Sequence, residues 1–253
     1  MLRNASKIDG YTIVASDGSL GSVSDFLFDD VSWLVRWLVV DTGHWLPGRK
    51  VLLPPSVLGH IDQQLHQFSV RLTRQLVKDS PDIDTDKSVS RQMEAHMYDY
   101  YGWSPYWGAG LYMGGYGYPP PVMEPSPPTA YGPDQEEITE DRHSRLRSVN
   151  AVTGYHLHAR DGKIGHVEDF LVEDADWSIR YLVVDTENWW PGKLVLISPY
   201  QTQSIDWAAD LVNLRVDRQM VKDSPLYEPS TVVDRPYESR FHAYYGGTSP
   251  APD

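Results

Sequence analysis

The chain has no cysteine, which removes disulfides, thiol catalysis and thiolate metal sites from consideration. No stretch approaches the roughly 20 apolar residues that cross a bilayer; the most apolar run, Trp33 to Val40, is broken by Arg36. Basic residues are few, 22 against 35 acidic ones, giving a net charge of −13 over 253 residues. The deficit is spread along the chain, −3 over residues 1–102, −5 over 103–143 and −5 over 144–253. A sequence-independent grip on nucleic acid needs a basic stripe that displaces counterions from phosphates. Direct nucleic-acid binding is therefore not expected, and an anionic membrane surface is disfavoured for the same reason. Residues Met1 to Lys7 lack the apolar run of a secretory signal, so the expected location is cytoplasmic.

What the sequence has is a repeat. Shifted by 144 positions it matches itself without a gap. Asp17-Gly18, Gly21, Val23 and Asp25-Phe26-Leu27 return as Asp161-Gly162, Gly165, Val167 and Asp169-Phe170-Leu171. Leu38-Val39-Val40-Asp41-Thr42 returns whole as Leu182-Val183-Val184-Asp185-Thr186. Trp45, Pro47 and Gly48 return as Trp189, Pro191 and Gly192, and Val77-Lys78-Asp79-Ser80-Pro81 as Val221-Lys222-Asp223-Ser224-Pro225. The domain reading is a first module over 1–102, a linker over 103–143 and a second module over 144–253.

Within each copy the apolar residues recur with period two, as half-buried strands require. Trp33, Val35, Trp37 and Val39 alternate with Leu34, Arg36, Leu38 and Val40, and Phe68, Val70 and Leu72 with Gln67, Ser69 and Arg71. Turn signals separate these runs at Asp17-Gly18, Asp29-Asp30 and Pro47-Gly48. Short strands with hairpin-sized connections predict a mainly β protein made of two small antiparallel barrels. Thr73 to Lys78 reads as a helical turn, and Val89 to Tyr101 and Val233 to Tyr245 as trailing helices capped by Gly102 and Gly246. The linker, rich in Gly, Pro and aromatic residues, has no period, cannot build a core and is expected to be flexible.

The string Asp-Gly-x-x-Gly-x-Val-x-Asp-Phe, then Leu-Val-Val-Asp-Thr-x-x-Trp-x-Pro-Gly, then Val-Lys-Asp-Ser-Pro, resembles the PRC-barrel family, and both copies carry it. The Tyr-Tyr-Gly helix ends are similar to those of free-standing bacterial members. The resemblance implies a small β-barrel with a trailing helix that binds other proteins rather than performing chemistry. In reaction-centre H subunits the barrel follows a transmembrane helix, and in ribosome-maturation factors a separate N-terminal domain. With a first strand expected near Ile8, neither flanking segment is expected here.

Chemistry has three candidate homes. Val39-Val40-Asp41-Thr42-Gly43 has the form in which an aspartic protease presents a carboxylate, but the second copy reads Asp185-Thr186-Glu187 and loses the glycine. The structural reading is that Asp41 and Asp185 end a buried strand and hold the following turn. His156 and His158 share a strand face at ligand spacing, yet no third ligand can be named nearby, so no metal or cofactor is expected. Neither a Gly-x-Ser-x-Gly elbow nor a glycine-rich phosphate loop is present. The third home is the hairpin His44 to Lys50 and its match at Asn188 to Lys193. There Trp45, Arg49, Trp189, Trp190 and Lys193 are candidate partner contacts, since Trp and Arg dominate interface energies. The alternative for Trp45 and Trp189 is a plug over the barrel end. The functional expectation is a non-enzymatic adaptor or assembly module for a protein partner. Behind it stand a small-ligand binder using a barrel mouth or the cleft between barrels, and a hydrolase. The two repeats are expected to pair about a pseudo-two-fold axis around Leu34 and Val35 of one copy and Ile179 and Tyr181 of the other.

Overall fold

A computed structural model describes residues 1–81, 89–103, 105–106, 145–186, 193–230 and 233–245. Trp189, Trp190, Gly246 and nearly all of the linker lie outside the described residues. The protein is mainly β. One compact unit comprises 1–78 and 145–253, and a second spans 79–144.

In the first unit, the first copy runs β1 (Leu2–Asn4), α1 (Ala5–Ile8), β2 (Thr12–Ala15), β3 (Gly18–Asp29), β4 (Val35–Asp41), β5 (Lys50–Leu53), β6 (Leu58–Asp62), β7 (Gln67–Val70) and α2 (Arg74–Lys78). The second copy repeats this order as β8 (Leu146–Ser148), α4 (Val149–Val152), β9 (His156–Ala159), β10 (Gly162–Glu173), β11 (Ile179–Asp185), β12 (Leu194–Ile197), β13 (Thr202–Asp206), β14 (Leu211–Leu214) and α5 (Arg218–Lys222). It then adds β15 (Leu226–Tyr227) and α6 (Arg235–Tyr245). The 79–144 unit contains α3 (Arg91–Tyr101). That helix is N-capped by the Ser90 hydroxyl accepting from Met93 N at 3.2 Å and ends at Gly102, whose φ of 66° is the left-handed conformation glycine adopts readily.

Each copy forms a sheet with the strand path β5-β4-β3-β2-β7-β6 or its counterpart β12-β11-β10-β9-β14-β13. Adjacent strands are antiparallel except β2 with β7 and β9 with β14, which are parallel. That pairing differs from an all-hairpin connection: the chain passes through β3 to β6 before β7 returns beside β2. The alternation seen in the sequence fills the interiors, with Ile13, Val23, Phe26, Trp37, Val39, Leu52 and Phe68 buried in the first copy. Two matched glycines hold the long strands together. A Cβ on Gly21 would lie 1.9 Å from the Asp41 carbonyl oxygen, and one on Gly165 1.8 Å from that of Asp185. At α6, Tyr237 and Phe241 pack on Leu171, Tyr181, Val183, Leu196 and Tyr227, covering one side of the second sheet.

The first strand does not start near Ile8. Residues 5–8 form α1, and the strand before it, β1, pairs with β10 of the other copy, Leu2 opposite Glu173 and Asn4 opposite Leu171. Reciprocally, β8 pairs with β3, Leu146 opposite Asp29 and Ser148 opposite Leu27. Each copy therefore lends its first strand to the other. Between these strands the backbones meet directly. Val35 N donates to the Trp177 carbonyl at 2.9 Å, Ile179 N donates to that of Trp33 at 2.8 Å, and Leu34 bridges Ser178. Trp33 was expected inside a regular strand, and Trp177 is its match in the second copy. They instead take φ of 56° and 59°, a turn that aims each carbonyl at the opposite copy. Trp177 lies against Phe26 and Phe68, and Phe28 against Phe170, so the aromatic cores are continuous across the seam. Leu34, Val35 and Ile179 lie at this meeting point, whereas Tyr181 lies beneath α6.

Candidate functional site

The hairpin after β4 is built by its own polar atoms. The Asp41 carboxylate accepts from Gly43 N at 2.8 Å, holding the turn as a strand-ending aspartate does. The Thr42 hydroxyl is buried 2.7 Å from the carbonyls of both Leu46 and Arg49, able to donate to one at a time. Gly48 takes φ of 77°, the positive φ that a type II Pro-Gly turn requires.

This frame sets Trp45 half-buried, its indole N–H donating to the Leu20 carbonyl at 2.5 Å. The Arg74 guanidinium lies over the ring, 4.5 Å from its centre, a cation–π contact. Arg74 is placed by α2, whose first amide donates to Asp17 at 2.8 Å. Arg49 reaches from the hairpin to the Lys78 carbonyl at the end of the same helix. The result is an open pocket of about 300 Å³ lined by Asp17, Trp45, Arg74, Gln75 and Lys78, with Leu76 exposed on α2. On an acidic protein this corner is cationic and aromatic. In the second copy Arg218 N donates to Asp161 at 2.7 Å, the counterpart of the Arg74 contact. Lys193 sits half-buried beside β12, its carbonyl accepting from the Thr186 hydroxyl at 3.0 Å. Of the five candidate contacts, Trp45 and Arg49 meet α2 in the first copy, Lys193 occupies the matching place in the second, and Trp189 and Trp190 lie outside the described residues.

A second polar cluster lies on the seam. Asp25 and Asp169 occupy the middle of apolar strands, and each caps the first helix of the opposite copy. Asp169 accepts from Asn4 Nδ2 at 2.8 Å, Ser6 N at 3.1 Å and the Ser6 hydroxyl at 2.6 Å. Asp25 accepts from the Ser148 hydroxyl and from Asn150 N at 3.1 Å. Burial pushes the Asp25 carboxyl above the ordinary carboxylate range, opposed by these donors and by Phe26 N. Further out, Arg147 pairs with Asp30 at 3.1 Å and Arg3 with Asp174 at 2.8 Å. A cavity of about 110 Å³ between the caps includes Ser6, Asp25, Asn150 and Asp169 in its lining, well below the roughly 300–1,000 Å³ of a small-molecule site. These carboxylates were not among the candidate residues, although one signal for them was visible: an aspartate recurring inside an apolar strand at the repeat offset.

The pattern of a long central strand, a glycine contact to its neighbour and a turn-holding aspartate coincides with a family match at residues 2–75, to the PRC-barrel domain. Residues 2–75 form a PRC-barrel domain. No curated protein matches the chain. The PRC-barrel match covers β1 to the start of α2 and thus includes the Trp45 hairpin, Asp25 and the strand lent to the other copy. Among the described residues no helix is long and apolar enough to cross a membrane.

Proposed function

We propose that this protein is a non-enzymatic, protein-binding adaptor or assembly module acting in the cytoplasm, built from two PRC-barrel repeats. The PRC-barrel domain generally suggests a protein-interaction or assembly role. The observation that carries the reading to a surface is the corner of Trp45, Arg74 and Lys78, an aromatic and cationic pocket beside the exposed Leu76. Trp and Arg anchors of this kind supply most of the energy of protein interfaces. The Arg74 and Lys78 side chains favour a partner that presents carboxylates to this corner. A small ligand could use the same open pocket, whereas the seam cavity is too small for one. The test is affinity capture with the tagged full chain and with Trp45→Ala, read by quantitative mass spectrometry. A defined set of proteins retained by the parent chain and depleted at least fivefold with Trp45→Ala supports the reading. Equal recovery by both, with the variant folded by circular dichroism, overturns the assignment of the corner.

A further inference from the structure

The outer face of the second sheet gathers four potential ligands that the sequence disperses over thirty positions. His166 stands directly opposite Asp185 on β11 and opposite His156 on β9. Directly opposed residues project to the same face with neighbouring Cβ atoms, so these three form a row across the strands. Glu168 is the extra residue of the β-bulge between Val167 and Asp169, and bulges re-aim side chains. Here the bulge brings Glu168 Oε2 within 3.3 Å of His166 Nε2. One ligand atom from each of His166, Glu168 and Asp185 lies within 4.8 Å of the other two. Ligands around a tetrahedral zinc lie roughly 3.3–3.5 Å apart, the separation at which His166 and Glu168 already stand. The backbone beneath is fixed, because Gly165 allows β10 to press against the Asp185 carbonyl.

The first copy supplies an internal comparison. Its backbone repeats the arrangement, with Ser22 opposite both Asp41 and Thr12 and a bulge at Ser24. At three of the four positions the first copy has a hydroxyl, and the second has an imidazole or a carboxylate. The one unchanged residue is the strand-ending aspartate. Two of the three differences, His166 and Glu168, add metal-ligating groups to the cluster beside Asp185, and the third places His156 opposite His166 on the neighbouring strand.

We propose that His166, Glu168 and Asp185, joined by His156 across β9, bind one divalent transition-metal cation. Imidazole nitrogen with carboxylate oxygen selects zinc or nickel over calcium and magnesium, which take oxygen ligands. The cation would clamp β9, β10 and β11 from outside, on the strand that also carries the Asp169 cap.

The test is zinc binding to the full chain, by equilibrium dialysis with metal analysis and by calorimetric titration. One zinc per chain is expected, with affinity reduced at least tenfold in His166→Ala and severalfold in Glu168→Gln. The combined variant Thr12→His, Ser22→His and Ser24→Glu should raise the stoichiometry from one to two. Zinc affinity unchanged in Glu168→Gln, with stoichiometry unchanged in the combined variant, overturns the proposal even where His166→Ala fails to fold. Absence of zinc binding by the parent chain overturns it directly.

Discussion

Replacing Asp169 by alanine tests whether the seam stabilises the molecule or merely joins two self-sufficient halves. The carboxylate is 8% exposed and takes three donors from the other copy, Asn4 Nδ2, Ser6 N and the Ser6 hydroxyl, besides Phe170 N at 2.8 Å. A hydrogen bond to a charged acceptor contributes about 1.5–3 kcal/mol, and a buried donor left without an acceptor costs about 1–3 kcal/mol. Those terms overlap, because one side chain serves all four donors. The expected loss for Asp169→Ala is therefore about 3–5 kcal/mol, against about 1 kcal/mol for Ser6→Ala. At about 2–4 °C per kcal/mol for a protein of this size, the Tm should fall by roughly 6–20 °C. Urea unfolding followed by tryptophan fluorescence gives the free energy, and a double-mutant cycle with Ser6→Ala gives the coupling. The two residues lie in different copies, so coupling of about 1 kcal/mol or more is expected. A loss below about 1 kcal/mol, with additive effects in the cycle, would refute the argument that this carboxylate bonds the copies together.

Two further outcomes follow from buried contacts. Gly165→Ala forces a methyl to within 1.8 Å of a backbone oxygen and should cost about 3 kcal/mol or more, measured by thermal unfolding; Gly10→Ala, with open space around its Cβ position but a φ of 78°, should cost less. The second concerns alkaline pH. Burial pushes Tyr237 up to about 12, the nearby Tyr227 adding to the rise, and burial with the Glu238 carboxylate raises Tyr181 further. A tyrosine whose folded pKa exceeds its unfolded value stabilises the fold fully below about pH 10, and this contribution is lost as pH rises from there through the folded pKa. Stability should thus decline from about pH 10 to 12, with tyrosinate absorbance near 295 nm rising cooperatively with unfolding. Smooth ionisation of all tyrosines around pH 10 in the folded protein would contradict the packing of α6.

Much of the fold is legible because periodicity and turn chemistry are local. The alternation in Val35 to Val40, the Pro47-Gly48 turn and the helix ending at Gly102 each depend on residues within a few positions. The exchanged strands escape such reading, since Leu2-Arg3-Asn4 and Leu146-Arg147-Ser148 are too short to show a period. Which edge they join is decided by Asp169 and Asp25 more than a hundred residues away. The parallel pairing of β2 with β7 is hidden for the same reason. At the Trp45 corner the hairpin was readable, but Arg74, which covers the indole, arrives from a helix 29 positions on. The grouping of His166, Glu168 and Asp185 is hidden likewise, because it comes from strand register, which places Asp185 opposite His166 and a bulge beside it.

The strand exchange also sets an order of events during synthesis. The edge of β3 from Leu27 to Asp29 cannot be covered until Ser148 has been made, and β1 has no partner until Glu173 follows. At about 5–20 residues per second this interval is on the order of 10 s. Throughout it the first copy holds an open edge and a strand with nowhere to pair, the condition under which chains join their neighbours instead. The nascent first half is consequently more exposed than the same residues in the finished fold, and its completion depends on residues made more than a hundred positions later.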